Sequence, residues 1–439
     1  MLLRHLLVLL FLCPCGPALL LAQARLQSGP MLGYTEQREV MLWVQTTEPA
    51  TVAIMYSDST GTTFFTEEYR TRRAEAYTAK LVADRVVPGR RYDYRVLIDG
   101  REEAIPYPTT FRAQPTWRWR GDPPEFTLAL GSCSYINEPI YDRPGRGYGG
   151  EYGIFRTIDS LNPDLMVWLG DNTYLREPDW YTRTGYQHRY THTRSTAELQ
   201  PLLARTHHYA IWDDHDYGPN DSDRSWIHKE LAREVFGQFW ANPTLGIPQV
   251  EGGITTHFQY LDTDFFLLDN RSFRTPNEQE RDDNRTLLGE EQLEWLIESL
   301  VFSQSPWKMV CIGGQVLNTA ETFETYANLA PAERAYLLRR IEEENISGVV
   351  FLSGDRHHTE LSRLELGNGE TVHEVTISPL TAGTGTRREE VNALRVEGTL
   401  VIDRNFGVLR FSGPFRERKI AVSVYDTDGA LLWTRDLSR

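Results

Sequence analysis

The sequence predicts an α/β protein preceded by a small all-β module. Three observations predict it. Short alternating strands with turn signals run to about residue 115, short continuous apolar runs alternate with helical stretches beyond about residue 125, and a polar cluster follows nearly every such run. At roughly 100–200 residues per domain, 439 residues suit two or three domains. An apolar share of 40% with 11% aromatics excludes wholesale disorder, and the lack of a glycine period or heptad run excludes collagen and long coiled coils. Lys and Arg number 46 against 61 Asp and Glu, so the formal charge is −15. That balance argues against nucleic acid or anionic lipid as a bulk partner, and phosphate chemistry on such a chain would need local positive charge, for example metal ions.

The N-terminus reads as a cleaved leader over residues 1–24. Arg4 supplies a positive start, Leu6 to Leu12 an apolar run, and Ala22-Gln23-Ala24 an A-x-A cleavage signal that puts the mature start at Arg25. This predicts a secreted or periplasmic protein. The alternative is a retained anchor, which Pro14, Gly16 and Pro17 would interrupt. No later run of 18 apolar residues exists, so no transmembrane segment is predicted in the mature chain. Beyond the leader the chain holds Cys133 and Cys311, which either pair in a disulfide or stay free. Cys311 lies in an apolar strand, where an inert buried thiol is the expectation.

Residues 25–115 form the predicted N-terminal domain. Glu39 to Thr46, Thr51 to Tyr56, Thr62 to Thr66 and Tyr92 to Ile98 read as strands, with Val86 to Gly89 and Asp99-Gly100 as turns. Strands so spaced suggest a small sandwich of immunoglobulin or fibronectin type. Ala113 to Pro124 reads as a linker, and residues 116–439 as the second domain. There the runs Phe126 to Leu130, Leu165 to Leu169, His208 to Trp212, Phe265 to Leu268, Lys308 to Ile312, Gly348 to Leu352 and Val372 to Ile377 predict strands. Tyr152 to Leu161, Arg224 to Trp240, Glu290 to Ser303 and Pro331 to Glu344 predict helices. From about Leu400 to Trp433 the pattern returns to β alternation, and Trp180 to Arg194 reads as a polar, aromatic loop that covers the site or forms a surface insertion.

The polar clusters carry the functional signal. In an open α/β sheet, ligands bind at the carboxyl ends of strands. Cys133, Asp171, Asp214 with His215, and Asp355 with His357 each follow an apolar run, so they can converge from separate stretches of chain. Each alone has a plain structural reading, such as a helix cap or a satisfied histidine. Together they have the chemistry of metal ligation, in which Cys, His, Tyr and Asp suit transition metals and Asp and Asn suit calcium.

The blocks Gly131-Ser132-Cys133, Gly170-Asp171-Asn172-Thr173-Tyr174, Trp212-Asp213-Asp214-His215-Asp216 with Asn220, and Ser353-Gly354-Asp355-Arg356-His357-His358 resemble those of PhoD-like alkaline phosphatases, within the calcineurin-like metallophosphoesterase superfamily. Gly29-Pro30-Met31-Leu32-Gly33 followed by Val40 to Thr46 is similar to the start of that family's β-sandwich domain. The resemblance implies a β-sandwich metallophosphoesterase core with flanking helices, and hydrolysis of phosphomonoesters or phosphodiesters by a metal-bound hydroxide. It implies that Cys133, Tyr174, Asp355 and His357 are metal ligands, Asp171 a bridging ligand, and Asn220 with Asp214 the oxygen-rich side. It makes His215 a phosphate contact or the acid for the leaving oxygen. The cofactors implied are Fe3+ and Ca2+, with Zn2+ or Mn2+ as alternatives that the donor set also accepts.

Arg271 follows a strand, where its guanidinium fork suits either phosphate or a salt bridge. Cys133 has the alternative of a structural thiol, Tyr174 of a packing aromatic, and Asp214 of a partner that orients His215. His207, His208 and His358 read as supporting or surface residues, and His188 and His192 belong to the loop. Two positions depart from the family pattern, each predicting a retuned pocket: Asp216 in place of the usual Glu, and Arg356 in place of a small apolar residue. Rival functions are a phosphodiesterase or phospholipase D-like enzyme, a non-catalytic phospho-ligand binder, and nucleophilic catalysis by Cys133.

Overall fold

The computed structural model describes residues 23–279, 284–384 and 390–437. The leader read from the sequence therefore lies outside the described residues except for Gln23 and Ala24. Among the described residues no helix is long and apolar enough to cross a membrane.

Two sheets face each other across the main core. One has nine strands, in the order Leu431–Leu437, Lys419–Asp426, Asn405–Ser412, Phe126–Gly131, Leu165–Leu169, His207–Ile211, Leu26–Thr35, Val40–Thr46 and Thr78–Ala83. The other has six, in the order Thr256–Tyr260, Thr263–Leu267, Trp307–Ile312, Val349–Ser353, Thr371–Thr376 and Glu360–Glu365. Both are mixed sheets with parallel centres: Phe126–Gly131, Leu165–Leu169 and His207–Ile211 in the first, and Thr263–Leu267 through Val349–Ser353 to Thr371–Thr376 in the second. The central strands are continuous apolar runs because both of their faces are covered. One core joins Leu128, Leu130, Val167 and Leu169 to Phe265, Met309, Leu352 and Val375.

Helices cover the outer faces. Helix Glu290–Phe302 buries Leu293, Leu296, Ile297 and Leu300, the spacing of one helical face, against the outer side of the six-stranded sheet. Helix Pro331–Glu343 starts on proline, whose missing N–H costs nothing in the first turn, and buries Leu337 and Ile341 in the same cluster. Deleting one such leucine to alanine would cost about 2–5 kcal/mol.

The N-terminal strands build a second, smaller sandwich. Thr51–Asp58 and Arg91–Ile98 anchor its outer sheet, and Asp99-Gly100 makes the hairpin turn with φ of 48° and 74°. Its inner sheet is one end of the nine-stranded sheet, because Leu26–Thr35 pairs in parallel with His207–Ile211 at Leu32↔His207. Met31 and Trp43 accordingly sit in the main core, while Leu32, Leu42 and Val44 face the small one.

Two expectations change. Residues Arg183–Arg194 are a helix, not a loop, capped by the Thr182 hydroxyl accepting from the Gly185 N–H. Its buried face sets Arg189, which is paired with Glu138 and Asp179, beside Tyr186 and Tyr190, so no aliphatic period marks the face. The helix expected from Arg224 begins only at Lys229. Of the two readings of the later cysteines the free one holds among the described residues: Cys133 and Cys311 are both unpaired and buried.

Candidate metal centre

Each polar block leaves a parallel strand at its carboxyl end, so the two sheets deliver their blocks to one edge of the sandwich. Cys133 follows Phe126–Gly131, Asp171 follows Leu165–Leu169, Asp213 to His215 follow His207–Ile211, and Asp355 and His357 follow Val349–Ser353. Cys133, Asp171, Asp355 and His357 all have φ between 51° and 64°, the left-handed region that non-glycine residues avoid. Such backbone costs of order 1–3 kcal/mol per residue and persists where surroundings over-determine it, as at functional sites. Gly170, with φ of 90°, is held to glycine by space as well, since a Cβ there would lie 2.7 Å from Asp213 Cβ.

Four groups of donor atoms result, each with its atoms within 4.8 Å of one another: Cys133, Asp171 and His357; Asp171, Asp214 and His215; Asp213, Asp214 and Asp355; and Asp214, Asp221 and Glu324. Shared Asp171 and Asp214 join them into one ribbon of donors. Tyr174 extends the first group, its hydroxyl donating to Asp171 Oδ2 at 3.0 Å and lying 3.3 Å from His357 Nε2. Cys133 Sγ lies 3.6 Å from the same Asp171 oxygen. His215 is partly exposed, donates its N–H to Asp171 Oδ1 at 3.3 Å, and packs its ring 4.3 Å from that of Tyr174.

The electrostatics suit cations. Burial, and then the neighbouring Asp214 and Asp213, push the Asp171 carboxyl well above the usual carboxylate range. Burial, then Glu324 and Asp213, do the same to Asp355. Burial and the Asp171 charge push both the Cys133 thiol and the Tyr174 phenol up. Burial also opposes ionisation of Asp214, but His215 and Arg271 outweigh it and lower its carboxyl below 3.8. Several acceptors have no donor at all: Asp213 Oδ2, Asp214 Oδ1 and Asn172 Oδ1 are buried without a hydrogen bond. Unpaired buried acceptors and crowded carboxylates are expensive unless a cation satisfies them. The thiolate, phenolate and imidazole end of the ribbon suits a transition metal, and the all-carboxylate end suits a hard, oxygen-seeking ion.

Most residues named from the sequence meet here, with a few rearrangements. Asp355 and His357 go to different groups, Asp355 to Asp213 and Asp214, His357 to Cys133 and Asp171. Asn220 is exposed, as is its neighbour Asp221, whose carboxylate joins a donor group. Arg271 is fully buried, with its guanidinium turned to Asp213 and Glu324 and 3.7 Å from Asp214. That fork is occupied by carboxylates, not open to a phosphate. Asp216 points inward, accepting from the N–H groups of Asn172 at 3.1 Å and Asp213 at 3.0 Å, so the shorter carboxylate ties two blocks together. Arg356 is likewise buried and paired with Glu390 at 2.5 Å. His207 and His208 are buried structural residues, bonded to Gly33 O at 2.9 Å and Leu202 O at 3.1 Å. His188 lies over Glu138 at 3.1 Å and His192 bonds Asn137 O at 3.1 Å.

Sequence reading missed Asp213, Asp221 and Glu324 as members of the ribbon, and Tyr148 and Ser378 as partners of the donors. Asp213 stood in a recognised block, but Glu324 lies in irregular chain with no apolar run before it.

A two-sheet sandwich with this donor ribbon at the strand ends defines a metallophosphoesterase-like protein. The family model for PhoD-like phosphatase matches residues 128–411, and a domain of unknown function, DUF7800, matches residues 23–116. The chain belongs to the PhoD-like phosphatase family, and so to a family of phosphoric ester hydrolases. Among curated proteins it is 24% identical over 355 residues to alkaline phosphatase D of Bacillus subtilis (strain 168), a match that takes in 68% of this chain and only 56% of that relative. Among solved structures it resembles PhoD at a TM-score of 0.73, 19% identity, over 95% of this chain and 93% of the other. Purple acid phosphatase PPD1 from yellow lupin (Lupinus luteus) seeds superposes at 0.67, with 12% identity, over 94% of this chain and 75% of that one.

Proposed function

We propose that the protein is a secreted or periplasmic, metal-dependent phosphoesterase that hydrolyses phosphomonoesters, phosphodiesters or both. The observation that carries the reading is the convergence of Cys133 Sγ, an Asp171 carboxylate oxygen and a His357 ring nitrogen within 4.8 Å, from three strand ends far apart in sequence.

Cys133, Tyr174, Asp171 and His357 would hold an iron ion, and Asp214, Asp213, Asp355, Asp221 and Glu324 one or more calcium ions, with zinc or manganese as alternatives. We keep Asn220 on the oxygen-rich side and add Asp221, whose carboxylate lies in one donor group with Asp214 and Glu324. Asp171 would bridge the two sides, as it belongs to both adjoining groups. When bound, such cations lower the pKa of a coordinated water and offset charge on a phosphoryl group. His215, partly exposed at the middle of the ribbon, contacts the phosphoryl oxygens and gives a proton to the leaving alcohol oxygen. Arg271 acts at one remove, by fixing Asp213 and Glu324. The completely buried Cys133 has no exposed face from which to attack a substrate, which favours ligation over nucleophilic catalysis.

The location follows from the Arg4, Leu6 to Leu12 and Ala22-Gln23-Ala24 pattern. Its check is N-terminal sequencing of the exported protein, which should begin at Arg25. The activity is tested with p-nitrophenyl phosphate and bis-p-nitrophenyl phosphate before chelation, after it, and after metal return. Hydrolysis that is lost and regained supports the reading, and the ratio of the two rates fixes the ester class. A metal-replete sample that hydrolyses neither ester rejects it in favour of a binding protein.

A further inference from the structure

Ser378 stands at the end of strand Thr371–Thr376 and is completely buried. Its hydroxyl lies between two residues of the first donor group, 3.1 Å from Cys133 Sγ and 3.0 Å from the backbone nitrogen of His357. A peptide N–H can only donate, so the hydroxyl oxygen must accept from His357. The hydroxyl's single proton is then left for the sulfur. The other hydroxyl near the sulfur, that of Ser132, lies 3.5 Å away and donates instead to the Ile377 carbonyl at 2.7 Å. The Ser378 backbone is itself fixed, its N–H donating to Thr359 Oγ1 at 3.0 Å and its carbonyl accepting from Asn405 Nδ2 at 3.0 Å.

We propose that Ser378 is a positioning residue of the metal centre with two linked effects. Its proton withdraws electron density from the Cys133 sulfur, and its lone pair holds His357 in the left-handed conformation, φ 52°, that sends the ring to the site. Hydrogen bonds to a ligating sulfur tune the spectrum and potential of the metal it binds. This inference rests on the reading that the Cys133 thiolate binds iron.

The experiment uses the full-length mature protein loaded with iron. Ser378→Ala should shift the thiolate-to-iron absorption to longer wavelength, raise the Fe–S stretching frequency in resonance Raman spectra, and lower the ferric/ferrous potential. A purely space-filling serine would leave all three unchanged, and that result overturns the proposal. Should the variant not fold, the unaltered protein is reconstituted with iron in D2O and in H2O. A shift of the Fe–S stretch on deuteration supports the proton on sulfur, and identical spectra refute it. Cys133→Ser separates the two levels. Loss of the absorption band in that variant, with Ser378→Ala unchanged, removes only the role of Ser378. Retention of the whole spectrum in Cys133→Ser removes the iron–thiolate reading and this inference with it.

Discussion

Replacing Arg271 with methionine distinguishes a buried brace from a substrate clamp. The guanidinium is fully buried between Asp213 and Glu324. Without it Glu324 keeps Arg274, which donates to it at 2.9 and 2.5 Å, whereas Asp213 keeps no cation and retains neutral donors such as the Asn270 amide at 2.9 Å. One carboxylate, not two, is therefore left without a countercharge. Breaking a buried pair costs about 3–5 kcal/mol, and a single orphan with the brace replaced by a side chain of similar length argues for the lower end, about 3 kcal/mol. At 1.4 kcal/mol per decade that is about a hundredfold in the folding equilibrium. Urea denaturation followed by tryptophan fluorescence should show a lower midpoint for Arg271→Met. Inorganic phosphate should inhibit the folded, metal-loaded variant at the concentration that inhibits the unaltered protein. An unchanged midpoint with phosphate inhibition weakened tenfold or more would refute the reasoning and restore Arg271 as a phosphate contact.

Asp171→Asn should abolish metal retention and hydrolysis yet raise the melting temperature of the chelated protein, because it removes a carboxyl that burial and its acidic neighbours disfavour when charged; elemental analysis and calorimetry check both halves. Tyr148→Phe removes the hydroxyl 3.2 Å from His357 Nδ1 and should weaken metal binding about 10–100-fold, the usual loss when a ligating histidine loses its partner, read by competition with a chelator. Chelated protein should lose stability as pH rises. The Glu374 carboxyl, which burial pushes up to about 7 from 4.5, stays protonated in the fold after the unfolded chain has ionised. Asp221, pushed up to about 7 from 3.8 by burial and Glu324, acts in the same direction. The folded state thus holds more protons between about pH 4 and 7, so stability is fully present below that window and falls across it. Glu324, held well below 4.5 by Arg271 and Arg274 against its burial, is ionised in both states across most of this window and adds little slope there. Melting temperatures at pH 5, 6 and 7.5 test the sign, and a rise with pH contradicts it.

The strand ends were legible because an apolar run that stops at a polar cluster is a local pattern. Leu165 to Leu169 followed by Asp171 needs no knowledge of its neighbours. Pairing is not local. The sequence marks Val40–Thr46 as a strand, but nothing in it says that Leu26–Thr35 carries that module into the sheet beside His207–Ile211. Helix Arg183–Arg194 was hidden for another reason. Its inner face mixes the core tyrosines Tyr186 and Tyr190 with Arg189, neutralised by Glu138 and Asp179, and Arg194, stacked 4.1 Å over Trp240, so no aliphatic stripe marks it. At the site, resemblance found the donors that stand in compact blocks. Glu324 reaches the ribbon by lying beside Asp214 and Asp221, braced by its two arginines, and Ser378 through one hydroxyl proton, contacts that exist only in three dimensions.

The most direct test of the account is anomalous X-ray scattering from crystals of the purified protein, measured across the absorption edges of the metals that elemental analysis finds. The account predicts a transition-metal peak enclosed by Cys133 Sγ, the Asp171 carboxylate, the Tyr174 hydroxyl and the His357 ring. Metal bound elsewhere, or a metal-free pocket in a protein that hydrolyses phosphoesters at full rate, would contradict it.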